Sequence, residues 1–208
     1  MTISSRKRGW RHLPRQWLFT DERLGGAAAG DPLWAAIARL PRWSGIVFRH
    51  YGWPEAERRS LLCRVLALAR RRSLLVVVSG LAGRMGPGGR GDGVHRPDGA
   101  RTPWRGGLRT AAAHGERQLR RAFRRRADLV FLSPVFETAS HPGGAVLGAR
   151  RFGRIARRAP GPVVALGGVV HGQARMLRRL GAHGYAGVDC WAGAAAVPAG
   201  LALGRRRL

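Results

Sequence analysis

The sequence predicts an α/β fold of repeated strand–helix units built around a parallel sheet. Short β-branched or aliphatic runs recur along the chain, amphipathic Arg/Ala/Leu segments separate them, and the apolar runs break into small and polar residues, as strands delivering loops do. A chain of 208 residues can bury one sizeable core and sits at the small end of the range for an eightfold barrel. A single domain over residues 16–208 is therefore expected, preceded by a basic, disordered arm over residues 1–15.

The strands fall in order. Trp17-Leu18-Phe19-Thr20-Asp21 supplies the first, Gly45-Ile46-Val47-Phe48-Arg49 the second and Leu75-Val76-Val77-Val78-Ser79-Gly80 the third. Asp92 to His95 gives the fourth, Leu108 to His114 the fifth, Leu129 to Leu132 the sixth, Val163 to Leu166 the seventh and Gly181 to Val188 the eighth. Between them, residues 55–71 place Leu61, Val65 and Leu68 on one helical face and leave Arg58, Arg59 and Arg64 for water. Residues 115–126 and 147–158 repeat the pattern. Glycines and Pro87 crowd Gly80 to Gly91, where a helix would lose much backbone entropy, so that helix is expected to be degraded. Gly86 to Gly91 also spells GxGxxG, but it precedes a strand instead of opening a helix and carries no dinucleotide-binding meaning.

The formal charge of +27 raises the question of a nucleic-acid partner. The arginines are dispersed over several helix backs without interleaved aromatics, and Lys7 is the only lysine, so no specific nucleic acid is expected. Ser5 to Arg11 lacks an apolar core segment and is not a secretory signal, and no run of eighteen apolar residues could cross a membrane. Cys63 and Cys190 lack metal-ligand spacing, so a reduced, metal-free cytoplasmic protein without a cofactor is expected.

Ser133-Pro134-Val135-Phe136-Glu137-Thr138-Ala139-Ser140-His141-Pro142-Gly143-Gly144, with Pro162 to Val169 some thirty residues on, resembles the sixth and seventh strand-loop units of the thiamine phosphate synthase and TenI-type thiazole tautomerase superfamily. The other landmarks follow in that family's order. The resemblance implies a (β/α)8 TIM barrel acting on a small-molecule thiazole phosphate in vitamin B1 synthesis, with a homodimer possible.

It further implies that Gly167 and Gly168 hold the phosphate through backbone N–H groups, that Arg49, Thr138, Ser140 and His141 contact substrate, and that His114 is the proton-transfer residue of the tautomerase branch. Asp189 departs from the family's small hydroxyl residue, and a carboxylate there repels a phosphate unless it turns away or pairs with an arginine. The synthase branch needs magnesium and fixed cations to meet the charge of departing pyrophosphate. At the matching positions stand Gly80 in place of an Asp, and Tyr51 and His141 in place of lysines, while Asp98 lies off register. His95 ends the fourth strand and is expected to pack or hydrogen-bond in the mouth; His50 carries no argument.

Three readings compete: a thiazole tautomerase, a thiamine phosphate synthase working weakly and alone requiring magnesium, and a noncatalytic regulatory or binding barrel.

Overall fold

The computed structural model describes residues 12–80, 91–96, 107–138 and 143–192. Eight parallel strands close into a barrel in sequence order: β1 (Gln16–Phe19), β2 (Gly45–Phe48), β3 (Leu75–Ser79), β4 (Gly93–Arg96), β5 (Leu108–Ala113), β6 (Leu129–Leu132), β7 (Val163–Leu166) and β8 (Gly184–Gly187). Closure comes from β1 pairing with β8, Trp17 opposite Ala186 and Leu18 opposite Gly187. The helices described are α1 (Pro32–Arg39), α2 (Glu55–Arg72), α3 (Glu116–Arg124), α4 (Gly148–Arg157), α5 (Ala174–Arg179) and α6 (Asp189–Ala192). The eightfold barrel read from the sequence is thus the fold. The degraded helix expected between β3 and β4 falls at 81–90, outside the described residues.

Strand alternation sorts the apolar residues into two cores. Trp17, Phe19, Val47, Val77, Phe131 and Val164 point into the barrel. Leu18, Ile46, Phe48, Val76, Val130 and Val163 point outward and meet helix residues such as Ile37, Leu62, Phe152 and Leu177. Within the barrel, Phe131 takes Trp17 and Phe19 edge-on at 5.3 and 4.7 Å between ring centroids. A Cβ at Gly45 would collide with the Trp17 indole, so the second strand must begin on glycine for that ring to fill the lower barrel.

Two expectations need correction. The arm does not extend to residue 15: the Leu13 carbonyl accepts from the His183 ring, the Pro14 carbonyl from Trp17 Nε1 and the Arg15 carbonyl from the Tyr185 amide. The Arg15 carbonyl extends the β1–β8 ladder and the other two hold side chains of the barrel's lower end, so residues 13–15 belong to the fold. On α2, Leu61 and Val65 are buried and Leu68 packs against the core, but Arg58 is buried too. Its guanidinium donates through Nε to the Arg49 carbonyl at 2.6 Å and through Nη2 to the Ser79 carbonyl, beside the Phe48 and Tyr51 rings. Helical periodicity registers which face a residue occupies; it cannot register that two strand-end carbonyls need donors there. Arg64 likewise donates to the Gly26 and Ala27 carbonyls while lying over Trp34.

Among the described residues no helix is long and apolar enough to cross a membrane. Gly45→Val is expected to cost about 2–3 kcal/mol through overpacking against Trp17. Gly172→Ala, where an added Cβ meets nothing within 4 Å, should stay within about 0.5 kcal/mol of the parent when both variants are unfolded in urea.

Candidate active site

The mouth lies where the strands end, and its polar side chains are delivered by strand termini. At the β1–β2 corner the donors and acceptors match in a single arrangement. The Arg49 amide donates to Thr20 Oγ1 at 3.0 Å, and His50 donates through Nε2 to the Gly25 carbonyl at 2.8 Å. In the neutral ring, His50 Nδ1, 3.0 Å from Thr20 Oγ1, accepts the hydroxyl proton. Burial pushes the His50 pKa down, toward that form. His50, given no role by sequence, is therefore a structural histidine stacked on Phe48, its neighbour two residues back.

Arg49 turns its guanidinium over Phe19, 5.2 Å from the ring centroid, and donates through Nε to the Thr20 carbonyl at 2.8 Å. Its Nη2 lies 3.3 Å from Asp21 Oδ2. Asp21 also binds Arg23 at 2.9 Å, and Arg23 reaches Asp189 at 3.4 Å. Asp189 thus meets an arginine, the arrangement that tempers its repulsion of an anion at the β8 end.

At the β2–β3 corner, the Tyr51 hydroxyl bonds Ser79 Oγ, and a Cβ on Gly80 would sit 3.3 Å from the Tyr51 ring. Gly80 has a φ of 77°, so a larger residue there would be strained as well as crowded. The position that would need a carboxylate for magnesium is thus a left-handed glycine under an aromatic ring, and the described residues there do not fit that ion. Asp98 lies outside the described residues.

The third corner carries His114, which follows β5 and is exposed at the mouth. Its Nδ1 is 3.0 Å from the Ser133 carbonyl, which can only accept. The proton of the neutral ring therefore sits on Nδ1, and Nε2 keeps its lone pair. The His114 amide donates to Gln118 Oε1 at 2.6 Å, fixing the backbone where α3 begins. Opposite, across the β6 end, stand Gly167 and Gly168 with φ of 88° and 63°. An added Cβ at Gly167 would lie 2.8 Å from Pro134, and one at Gly168 would collide with the Glu137 carbonyl. The β6 loop continues the ladder over this turn: the Val135 amide donates to the Leu166 carbonyl at 2.9 Å and the Phe136 amide to the Gly167 carbonyl at 3.0 Å. The glycine pair consequently has a packing role that sequence reasoning did not anticipate, namely to admit the β6 loop. Thr138 is half-buried on that loop; Ser140 and His141 lie outside the described residues.

The structure thus brings His114, Ser133 and the two glycines to neighbouring strand ends, with Arg49 at a separate corner. Below them His95 is buried, its Nδ1 2.9 Å from Thr110 Oγ1 and its ring edge-on to Phe19. Burial lowers its pKa to about 3. Cys190 beside Gly187 is pushed up to about 12 by burial and is no nucleophile at neutral pH.

His50, His95 and His183 all have pKa values lowered by burial from the ordinary 6.5, so folding favours their neutral forms. Their contribution is complete above the unfolded value and is lost as pH falls toward the folded ones. Unfolding free energy from urea titrations should accordingly decline between about pH 6.5 and 5, where ordinary carboxylates stay ionised, by up to about 1.4 kcal/mol per pH unit for each histidine. His95→Leu should flatten that slope.

Comparison with known proteins bears on the same region. Residues 106–190 match the family model described as thiamine monophosphate synthase. A protein of Aquifex aeolicus named putative thiamine-phosphate synthase 2 is 32% identical over 78 residues, 38% of this chain and 42% of that protein, so the match spans under half the relative's length. Among solved structures, a thiamine phosphate pyrophosphorylase from Pyrococcus furiosus superposes with a TM-score of 0.66 at 20% identity, covering 85% of this chain and 86% of the other. The (S)-3-O-geranylgeranylglyceryl phosphate synthase of Thermoplasma acidophilum reaches 0.59 at 12% identity over 95% and 94%. At those identities the superpositions speak for the barrel alone. The matched segment carries His114, the β6 loop and the Gly167–Gly168 turn, and over it this chain is similar to the thiamine monophosphate synthase family.

Proposed function

We propose that the chain is a proton-transfer isomerase acting on a thiazole carboxylate phosphate, with His114 as the acid/base. The observation that carries this reading is the hydrogen bond from His114 Nδ1 to the Ser133 carbonyl, which leaves the Nε2 lone pair at an exposed position on the mouth. In that role Nε2 takes a proton from one site of the azole and returns it to another, so the reaction needs neither net proton nor leaving group. The β6 loop, with Thr138, lies on one side of the base and the Gly167–Gly168 turn behind it. Backbone N–H groups of that turn are the proposed hold on the phosphate. Arg49 stands at the β1–β2 corner of the mouth, and burial lowers its pKa while Asp21 works against that shift. Localisation in the cytoplasm and a homodimer remain part of this proposal, as does independence of any cofactor.

The second reading, a thiamine phosphate synthase, is favoured by the name of the Aquifex aeolicus relative and the description of the family model. Against it stands the β2–β3 corner, where Tyr51 and Gly80 supply neither the cation nor the carboxylate that a departing pyrophosphate demands.

His114→Asn is expected to lower tautomerisation about 100-fold or more while leaving the thermal midpoint and thiazole carboxylate phosphate affinity near the parent values. Unchanged turnover in that variant would remove His114 from the chemistry. A parallel assay with magnesium, hydroxymethylpyrimidine diphosphate and thiazole phosphate should give little thiamine phosphate. Turnover there at about 1 per second or faster, abolished by chelation, would establish the synthase reading instead.

A further inference from the structure

One sector of the barrel carries arginines without any carboxylate. No Asp or Glu occurs between Glu137 and Asp189, a stretch that holds the β6 loop, α4, β7, α5 and β8. Arg150, Arg154 and Arg157 lie along α4 at spacings of four and three, and Arg175, Arg178 and Arg179 lie along α5; all are exposed. The two helices are neighbours in space. Arg157 Nη2 donates to the Arg179 carbonyl at 3.0 Å, and a Cβ on Gly153 would touch the Leu180 side chain at 3.1 Å. Elsewhere the chain does set carboxylates against arginines, as in Arg59 with Glu55 and Arg120 with Glu116 on α2 and α3. Among the described residues, none on α4 or α5 has such a partner.

We infer that the outer face of α4 and α5 is a docking surface for the phosphodiester backbone of a nucleic acid, bound without base specificity. The chemistry of the face selects that partner. Guanidinium groups bind phosphate oxygens in a fork, and several of them in a row release counterions from a polyanion. A second copy of the chain is excluded as the occupant by repulsion between like faces. A lipid surface is disfavoured because α4 and α5 bury Phe152, Ile155 and Leu177 against the barrel and expose only Met176 among their large apolar residues, too little for insertion. Neither helix exposes an aromatic side chain for base stacking, Phe152 being buried, which accords with recognition of backbone alone.

The test compares two variants of equal net charge by fluorescence anisotropy on a 20-base-pair duplex across 50–300 mM salt. One carries Arg150→Gln, Arg154→Gln, Arg175→Gln and Arg178→Gln; the other carries Arg70→Gln, Arg71→Gln, Arg117→Gln and Arg124→Gln on α2 and α3. Glutamine keeps helix propensity, and circular dichroism checks that both sets fold. The first set is expected to weaken binding at least 30-fold at 100 mM salt and to reduce the salt slope by about 3, as loss of four phosphate contacts requires. The second set should change affinity less than threefold. Equal losses in both sets would mean that net charge alone drives binding and would overturn the assignment. So would binding to vesicles with one-third anionic lipid in place of the duplex, or no binding to the duplex at all.

Discussion

The pairing of β1 with β8 is the constraint on which the rest depends. An open sheet of this length would leave unpaired N–H and C=O groups along both edges, and its strand ends would fan apart instead of facing one cup. Closure turns eight unconnected loop starts into one rim. Side chains lock it: Trp191 Nε1 donates to the Trp17 carbonyl at 2.9 Å, and Arg39 binds the Trp191 and Ala192 carbonyls. The seam also brings Asp189 to Arg23, a contact between residues far apart in sequence that settles the charge of the β8 end.

Arginine does two different jobs in this chain. Arg39, Arg49, Arg58 and Arg72 spend their donors on main-chain carbonyls at the ends of strands and helices, and Arg64 on loop carbonyls, where no amide partner is at hand. A guanidinium suits this role because it offers several donors in a fixed plane and loses its charge only at very high pH. Among the described residues, the arginines of α4 and α5 have no comparable demand on them, apart from the bond between Arg157 and Arg179. A composition that looks uniform by count is therefore divided by structure into cross-links and a free cationic surface.

Much of this was legible in the sequence, because strand alternation and helical periodicity are written in residue order. The β6 and β7 runs came out at their observed limits, and His114 stands at the end of β5 as the resemblance implied. What escaped was long-range. Arg58 reads as a surface arginine because nothing on its own helix reveals the carbonyls of Arg49 and Ser79 that it serves. His50 reads as neutral background until Thr20 and Gly25 arrive from the preceding loop. The gathering of arginines on α4 and α5 is invisible to spacing alone, since one faces the other only across a strand.

The close approach of Gly168 to the Glu137 carbonyl ties two loops into one moving part. The β6 loop rests its backbone on the glycine turn through the Val135 and Phe136 amides, so a displacement of either loop must carry the other with it. The loop that rests on the Gly167–Gly168 turn also carries Ser133, whose carbonyl accepts from the His114 ring. The proposed catalytic imidazole and the proposed phosphate seat are in this sense joined through one loop.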